Sequence, residues 1–107
     1  HYKLPVKMLV LDNGHLGMVR QWQELMCHKR YSGTVLDDNP DFADLARVFG
    51  IKAETVDNMT DGERAIKEMA TGNESMLVHA KIEQEENVLP MVPAGRSLEE
   101  MLLKIGE

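Results

Sequence analysis

Cysteine, aromatic residues and long apolar runs are all scarce in this sequence. Cys27 is the only cysteine, and aromatic residues make up 5% of the chain. A single cysteine excludes an intrachain disulfide and fits a reducing compartment. The apolar runs are much shorter than the roughly 20 residues of a membrane-spanning helix, and the N-terminus lacks the pattern of a signal peptide. We therefore expect a cytoplasmic protein with no membrane partner.

Positive charge is also in deficit, because 18 acidic residues face 12 basic ones and give a net charge of -6. Non-specific binding of nucleic acid needs a basic surface that displaces counterions from phosphates, so we expect no nucleic-acid partner. The 43% of hydrophobic and 28% of charged residues are typical of a globular domain. A chain of 107 residues can form one domain around a single core.

The segment from Leu9 to Gln23 is the most informative part of the sequence. The apolar run Val6–Leu11 predicts a central parallel strand that is covered on both faces. Asp12-Asn13-Gly14 then predicts a tight turn, and a helix follows in which apolar residues recur at helical spacing: Met18, Val19, Trp22, Leu25 and Met26. The turn would therefore lie at the carboxyl end of a strand and before a helix N-terminus.

Ligands of open α/β sheets bind at the carboxyl ends of the strands, and helix N-termini favour anions. The side-chain oxygen of Asn13 and a carbonyl of the turn could hold Mg2+, which commonly joins protein oxygens to phosphate oxygens. This segment therefore predicts a metal-bridged diphosphate site. On spacing alone an ordinary βα turn explains Asp-Asn-Gly better than a ligand site does, since tight turns favour the same residues.

The middle of the chain predicts two further helices and one strand. Asp38–Asp41 has a capping side chain followed by Pro40 in the first helical turn, and Gly50 is placed to end that helix in a left-handed conformation. Ile51–Val56 is a strand candidate. Thr60 and Glu63 have capping-box spacing at the start of a helix that runs to Gly72.

The last third of the chain predicts a strand, an irregular arm and a short helix. Ser75–Ile82 is the third strand, and we interpret His79 within it as a hydrogen-bonded structural histidine. Two prolines keep residues 87–95 from forming a helix or a central strand. Ser97 and Glu100 form a capping box, before a terminal helix whose predicted buried face is Leu98, Met101, Leu102 and Ile105. The order β-α-α-β-α-β indicates an α/β fold with a three-layer parallel sheet.

The segment through Gln23 resembles the large catalytic subunit of acetolactate synthase, also called acetohydroxyacid synthase, a thiamine diphosphate enzyme. Further segments match that family in order and spacing, namely Arg30-Tyr31-Ser32, Asp38–Phe42, Phe49-Gly50-Ile51 and Glu86–Gly95. The resemblance spans essentially the whole chain. It implies an incomplete second half of a thiamine diphosphate-binding fold, in which residues 1–107 are the C-terminal portion of the domain and residues 87–107 are a C-terminal arm.

The resemblance also implies the roles of individual residues. Asn13 matches the family's Mg2+ ligand through its side chain, and His15 matches a backbone carbonyl ligand, while Asp12 replaces the first asparagine of the family's Asn-Asn pair. Gly14, Leu16, Gly17 and Met18 complete the segment that contacts the cofactor. Met18, Val19 and Trp22 match the acceptor-substrate pocket, where Trp22 favours 2-oxobutanoate. Ala94 and Gly95 match the arm near the active site. None of these residues is implied to be catalytic.

The chemistry implied by the resemblance is carried by the cofactor, which decarboxylates pyruvate so that the remaining two-carbon unit joins a second 2-oxoacid in branched-chain amino-acid biosynthesis. The family's Gly-Asp-Gly motif and its activating glutamate are absent from the 107 residues. The implied partners are therefore the remainder of the catalytic subunit and a second catalytic subunit. A regulatory small subunit and FAD in the parent enzyme stay open. We expect the isolated chain to be inactive.

Two other interpretations remain at this stage. The chain could come from another thiamine diphosphate-dependent carboligase or decarboxylase, although Trp22 and the Pro90–Gly95 segment favour acetolactate synthase. It could also be a stand-alone α/β binding module without catalysis. Such a module should be a stable monomer that ignores thiamine diphosphate, whereas a fragment should be poorly stable or associate through an uncovered sheet edge.

Overall fold

The computed structural model describes residues 3–104 and divides them into two compact units. Residues 3–14 and 37–83 form the first, which we call the sheet unit. Residues 15–36 and 84–104 form the second, the arm unit. No helix among the described residues is both long and apolar enough to cross a bilayer.

The sheet unit contains three parallel strands in the order β1-β3-β2, namely β1 (Lys7–Asp12), β2 (Lys52–Val56) and β3 (Met76–Lys81). Leu9 pairs with Val78, and Val78 in turn pairs with Glu54. The central strand therefore explains the run of four buried residues from Met76 to His79, since it has a neighbour on either side.

Helices cover both faces of this sheet. They are α2 (Phe42–Val48) and α3 (Met59–Thr71), and their main contacts are with β2 and β3. Val78 packs in a core cluster with Ala65 of α3, whereas the ring of the next residue, His79, meets Phe42 of α2. Because successive strand residues point to opposite faces, the two helices lie on opposite sides. The predicted α/β architecture with a three-layer parallel sheet is thus confirmed.

The prediction that the first strand is central and covered on both faces is wrong for the described residues. β1 lies at one edge of the sheet, and its Leu9 and Leu11 are 44% and 61% exposed. The apolar run correctly predicted a strand, but it carries no information on how many neighbours the strand has. β3 takes the central place instead, because β1 and β2 both pair with it.

Both predicted helix starts in the sheet unit are displaced by a few residues. Asp41 caps α2 by accepting a hydrogen bond from the Asp44 N–H at 2.9 Å, so Pro40 precedes the cap and is not in the first turn. Asn58 caps α3 by accepting from the Asp61 N–H at 2.9 Å, so Thr60 lies inside the helix. Gly50 has a φ of 73° after α2, as predicted.

The arm unit contains α1 (Gly17–Met26), which agrees with the helix predicted after the Asp12–Gly14 turn. Its remaining backbone is mostly irregular, with isolated antiparallel bridges between His15 and Val35 and between Met91 and Leu102. The irregular arm after residue 83 was also predicted from its prolines.

The predicted terminal helix is only a 3-10 turn, Leu98–Glu100. The predicted capping box is present between Ser97 and Glu100, whose carboxylate accepts from the Ser97 N–H at 3.0 Å. Leu98 is 77% exposed, so the predicted buried face does not form there. Three residues are too few to create a continuous helical face; Ile105 lies outside the described residues.

The capping of α3 gives a direct test of the fold. We expect Asn58→Ala to lower the free energy of unfolding by about 1 kcal/mol, because the Asp61 N–H loses its acceptor. Thr60→Ala is the matched control and should be neutral or slightly stabilising, since alanine favours a helix interior. Urea unfolding of the chain followed by circular dichroism measures both. A larger loss for Thr60→Ala would restore Thr60 as the cap.

Candidate functional site

The predicted turn follows β1 in the sheet unit and is held by Asp12. The Asp12 Oδ1 atom accepts a hydrogen bond from the Gly14 N–H at 2.9 Å, which encloses Asn13 in an Asx turn. Gly14 has a φ of 69°, a left-handed conformation that a residue with a Cβ rarely adopts. The strand end itself is held by the Ile82 N–H, which donates to the Asp12 carbonyl at 3.0 Å.

The second oxygen of the same carboxylate is also occupied. Asp12 Oδ2 lies 2.8 Å from Nε2 of His79, whose side chain is 4% exposed. These hydrogen bonds lower the pKa of Asp12 below its usual value, His79 having the largest effect and the Gly14 N–H the next, with burial partly opposing both. The carboxylate is therefore ionised at neutral pH. The interpretation of His79 as a hydrogen-bonded histidine is confirmed.

The other predicted cofactor residues lie in the arm unit. His15 bridges to Val35, and the Leu16 N–H donates to the Thr34 carbonyl at 2.9 Å. Gly17 and Met18 open α1. The N-cap residue of α1, Leu16, makes no side-chain cap hydrogen bond, and no acidic residue occupies the first turn, in contrast to α2 and α3. The N-terminal end of α1 therefore carries no acidic side chain that would repel an anion.

The predicted substrate-pocket residues all lie on α1. Met18 and Val19 are 52% and 48% exposed, and Trp22 is partly buried. The residue of α1 that is fully buried is the polar Gln21, at 2% exposure. The apolar stripe is therefore not the buried side of this helix within the described structure.

Gln21 holds the irregular segment after residue 83 through two hydrogen bonds to the backbone of one residue, Val88. Its Oε1 accepts from the Val88 N–H at 2.8 Å, and its Nε2 donates to the Val88 carbonyl at 3.0 Å. Sequence analysis missed this role. The available signal was that Gln21 lies at helical spacing between Met18 and Leu25, where a polar amide inside an apolar stripe must find partners.

Two charged residues of α1 also bind the irregular segment after residue 83. Arg20 pairs with Glu85 and stacks over the ring of Tyr31, with the guanidinium carbon 3.9 Å from the ring centroid. Glu24 accepts from Asn87 Nδ2 at 3.0 Å. Ala94 and Gly95, predicted to form the arm near the active site, lie exposed in a turn further along.

The donor chemistry of the turn fits a hard cation that is held only in part by this chain. The ligands that the family resemblance implies are neutral oxygens, the side chain of Asn13 and the carbonyl of His15, while each oxygen of the neighbouring Asp12 has a protein hydrogen-bond partner. Among residues 3–104 no group of three or more His, Cys, Asp or Glu side chains could hold a metal ion. Such a donor set suits Mg2+, which keeps phosphate and water ligands.

A groove of about 430 Å3 lies beside the carboxyl ends of β2 and β3, at the end of the sheet where the Asp12–Gly14 turn follows β1. It is lined mainly by apolar side chains of these strands and α3, including Val56, Met59, Ile66 and Ile82. Sequence analysis did not predict it. The groove could bury an apolar group, but it offers few donors for a phosphate.

Residues 1–80 match the family model described as "Thiamine pyrophosphate enzyme, C-terminal TPP binding domain". The chain belongs to this family. Thiamine pyrophosphate is another name for thiamine diphosphate, so the thiamine diphosphate-binding domain implied by the family resemblance is confirmed.

Several relatives of this TPP-binding domain have the same name. The chain is 47% identical over 103 residues to the acetolactate synthase isozyme 2 large subunit of Escherichia coli strain K12, covering 96% of this chain and 19% of that protein. It is 41% identical to the acetolactate synthase large subunit of Lactococcus lactis, covering 94% and 17%. The mitochondrial acetolactate synthase of Schizosaccharomyces pombe is 40% identical, with 95% and 15% covered. The chain thus spans about a fifth or less of these relatives.

The pairing of Gln21 with Val88 predicts how the arm of this TPP-binding domain is retained. Gln21→Met should leave the N–H and carbonyl of Val88 without their partners and cost about 1–3 kcal/mol locally. We expect faster amide hydrogen exchange at Val88 and faster proteolysis of residues 84–90. Gln23→Met is the matched control, because Gln23 pairs with the backbone of Ser32 in the same way, so this variant should speed exchange at Ser32 and leave Val88 unchanged. Unchanged exchange at Val88 in Gln21→Met would contradict this account.

Proposed function

We propose that this chain is the C-terminal part of the thiamine diphosphate-binding domain of an acetolactate synthase catalytic subunit. The parent enzyme would be a transferase that condenses pyruvate with a second 2-oxoacid, either pyruvate or 2-oxobutanoate. The cofactor would supply the decarboxylation and carbon transfer. The chain's own contribution would be to hold Mg2+ and the diphosphate and to shape the acceptor pocket.

The observation that carries the proposal is the start of α1. This helix begins at Gly17, three residues after Gly14; its N-cap residue, Leu16, makes no side-chain cap hydrogen bond, and its first turn holds no acidic residue. The N–H groups of a first helical turn and the positive end of the helix dipole favour a diphosphate. We propose that Asn13 and His15 ligate Mg2+ and that the backbone of residues 14–18 contacts the diphosphate.

The acceptor pocket would involve Met18, Val19 and Trp22, which all lie on the first half of α1. Spacings of one, three and four residues place them on one side of a helix. Half-exposed apolar side chains beside a diphosphate site are suited to contact the alkyl group of a 2-oxoacid. The bulk of Trp22 would then select the longer 2-oxobutanoate.

The chain would depend on protein outside these 107 residues. A carboxylate ligand of Mg2+ and the glutamate that activates the cofactor would come from the remainder of the catalytic subunit and from a second catalytic subunit. The exposed Leu9 and Leu11 on edge strand β1 support this dependence, because a larger sheet would cover them. The parent enzyme could also use FAD and a regulatory small subunit. We propose a cytoplasmic location for it, because a single cysteine fits a reducing compartment.

The decisive experiment replaces the matching segment of the Escherichia coli isozyme 2 large subunit with this chain. We expect the chimera to form acetolactate from pyruvate with thiamine diphosphate and Mg2+. The chain alone should form none above a blank, because it lacks part of the site. Carboligation by the chain alone would refute the proposed dependence. A correctly folded but inactive chimera would contradict the assignment to acetolactate synthase.

The proposed metal ligand is tested in the same chimera. Asn13→Ala should raise the Mg2+ concentration needed for half-maximal activity by about tenfold or more, since an oxygen ligand is lost. Asn73→Ala is the matched control, because Asn73 is an exposed asparagine of the same sheet unit, and it should behave like the unchanged chimera. Equal Mg2+ requirements for the two variants would remove Asn13 from the site.

The proposed substrate selection is tested by competition between pyruvate and 2-oxobutanoate as acceptors. Trp22→Leu should shift the product ratio toward acetolactate by about 10-fold or more, because one alkyl group in an apolar pocket is worth about 1–3 kcal/mol. Leu25→Ala, on the same helix but outside the proposed pocket, serves as the control for general damage to α1. An unchanged product ratio in Trp22→Leu would exclude Trp22 from the acceptor pocket.

A further inference from the structure

We propose that His79 is a positioning residue, which acts through the Asp12 carboxylate to fix the turn that presents Asn13. This inference rests on the proposed function, in which Asn13 ligates Mg2+. His79 itself would contact neither the metal nor the cofactor. Its role would be to hold the carboxylate in the one orientation that also binds the Gly14 N–H.

The contacts form a continuous chain across the sheet unit. His79 on β3 pairs directly with Val10 on β1, so Asp12 is two residues further along the same face of the neighbouring strand. One carboxylate oxygen is 2.8 Å from His79 Nε2, and the other is 2.9 Å from the Gly14 nitrogen. Rotating the carboxylate away from His79 would therefore also remove the acceptor that closes the turn.

The surroundings of His79 restrict how its ring can move. The side chain is 4% exposed, and Phe42 of α2 meets the ring edge-on with the centroids 5.2 Å apart. Asp41, the N-cap of α2, and Lys81, beside His79 on β3, are the other charged groups near the pair. A ring that is packed in this way gives Asp12 a fixed donor and not a mobile surface partner.

The arrangement also assigns the ring proton. A carboxylate accepts hydrogen bonds, so the 2.8 Å contact requires Nε2 of His79 to carry a hydrogen and donate it. Nδ1 is buried and has no hydrogen-bond partner among residues 3–104. A proton on Nδ1 would be a buried donor without an acceptor, which is costly. Of the two tautomers, the one protonated at Nε2 therefore fits these contacts.

The proposal also explains the role of an aspartate in place of the first asparagine. Each oxygen of Asp12 has a protein hydrogen-bond partner, which orients the carboxylate toward Gly14 and His79. In the proposed site Asp12 therefore serves the turn, and Asn13 is the ligand. An asparagine at position 12 could still accept from the Gly14 N–H, but its amide hydrogens would face the Nε2–H of His79.

Three variants test the proposal in the chain itself, without cofactor. His79→Phe keeps an aromatic ring against Phe42 but removes the donor, and we expect amide exchange at Gly14 to accelerate at least about tenfold. Asp12→Asn should also accelerate exchange at Gly14, because the introduced amide hydrogens face the Nε2–H of His79. The double variant Asp12→Asn with His79→Gln should restore slow exchange at Gly14, because a glutamine oxygen can accept from the introduced amide.

The link to the metal is tested in the chimera with the Escherichia coli subunit. His79→Phe should raise the half-saturating Mg2+ concentration about 10-fold, as loss of an outer-shell partner typically does. His79→Gln, which keeps a donor for Asp12, should raise it less than about threefold. This difference separates a positioning role from a purely structural one, since both variants remove the imidazole.

The outcomes distinguish the two proposals. If the unchanged chimera needs neither thiamine diphosphate nor Mg2+, the proposed function fails, and Gly14 exchange still decides whether His79 holds the turn. If the chimera does need them but His79→Phe and His79→Gln have equal Mg2+ requirements, the positioning role is wrong. Unaltered Gly14 exchange in His79→Phe would overturn it independently. If His79→Phe fails to fold, the single and double Asp12 variants decide the question.

Discussion

The carboxylate of Asp12 is the constraint on which the rest of the proposed site depends. Asp12 is the last residue of β1, and its carboxylate accepts hydrogen bonds from the buried His79 of β3 and from the Gly14 N–H. One side chain thus couples the pairing of two strands to the shape of the turn after the first. Because Asn13 lies inside that turn, its orientation depends on the same contacts. In this proposal, a side chain of the central strand therefore determines the local geometry of the proposed ligand, Asn13.

In the arm unit, polar side chains of α1 form hydrogen bonds with the backbone N–H and carbonyl groups of irregular segments. Gln21 pairs with both polar backbone groups of Val88, and Gln23 does the same for Ser32, with which it exchanges hydrogen bonds of 3.2 and 2.9 Å. Irregular segments have no neighbouring strand or helical turn to pair with their backbone N–H and carbonyl groups, and these side chains provide the missing partners. The proposed cofactor helix, α1, is therefore also the element that organises the proline-containing arm.

Local sequence patterns predicted which segments form helices and strands better than they predicted which of these elements lie next to one another. The apolar run of β1, the helical spacing on α1 and the left-handed Gly50 were all recognisable, because each depends on residues close in sequence. The position of β3 at the centre of the sheet was not, since it depends on pairing across the chain. The role of His79 was only half predicted, because its partner Asp12 is 67 residues away. Asn13 was singled out from the turn itself, whereas the other candidate site residues came from the family resemblance, and the proposed roles of all of them remain predictions.

The central claim is that Asn13, held in the Asp12–Gly14 turn, ligates Mg2+ bound to the diphosphate of thiamine diphosphate. A crystal structure of the chimera with thiamine diphosphate and Mg2+ tests it most directly. The account predicts the Asn13 side-chain oxygen at about 2.1 Å from the metal, with both Asp12 oxygens still bonded to His79 and Gly14. A metal ligated by Asp12 in place of Asn13, or an Asn13 side chain turned away from the diphosphate, would contradict the account.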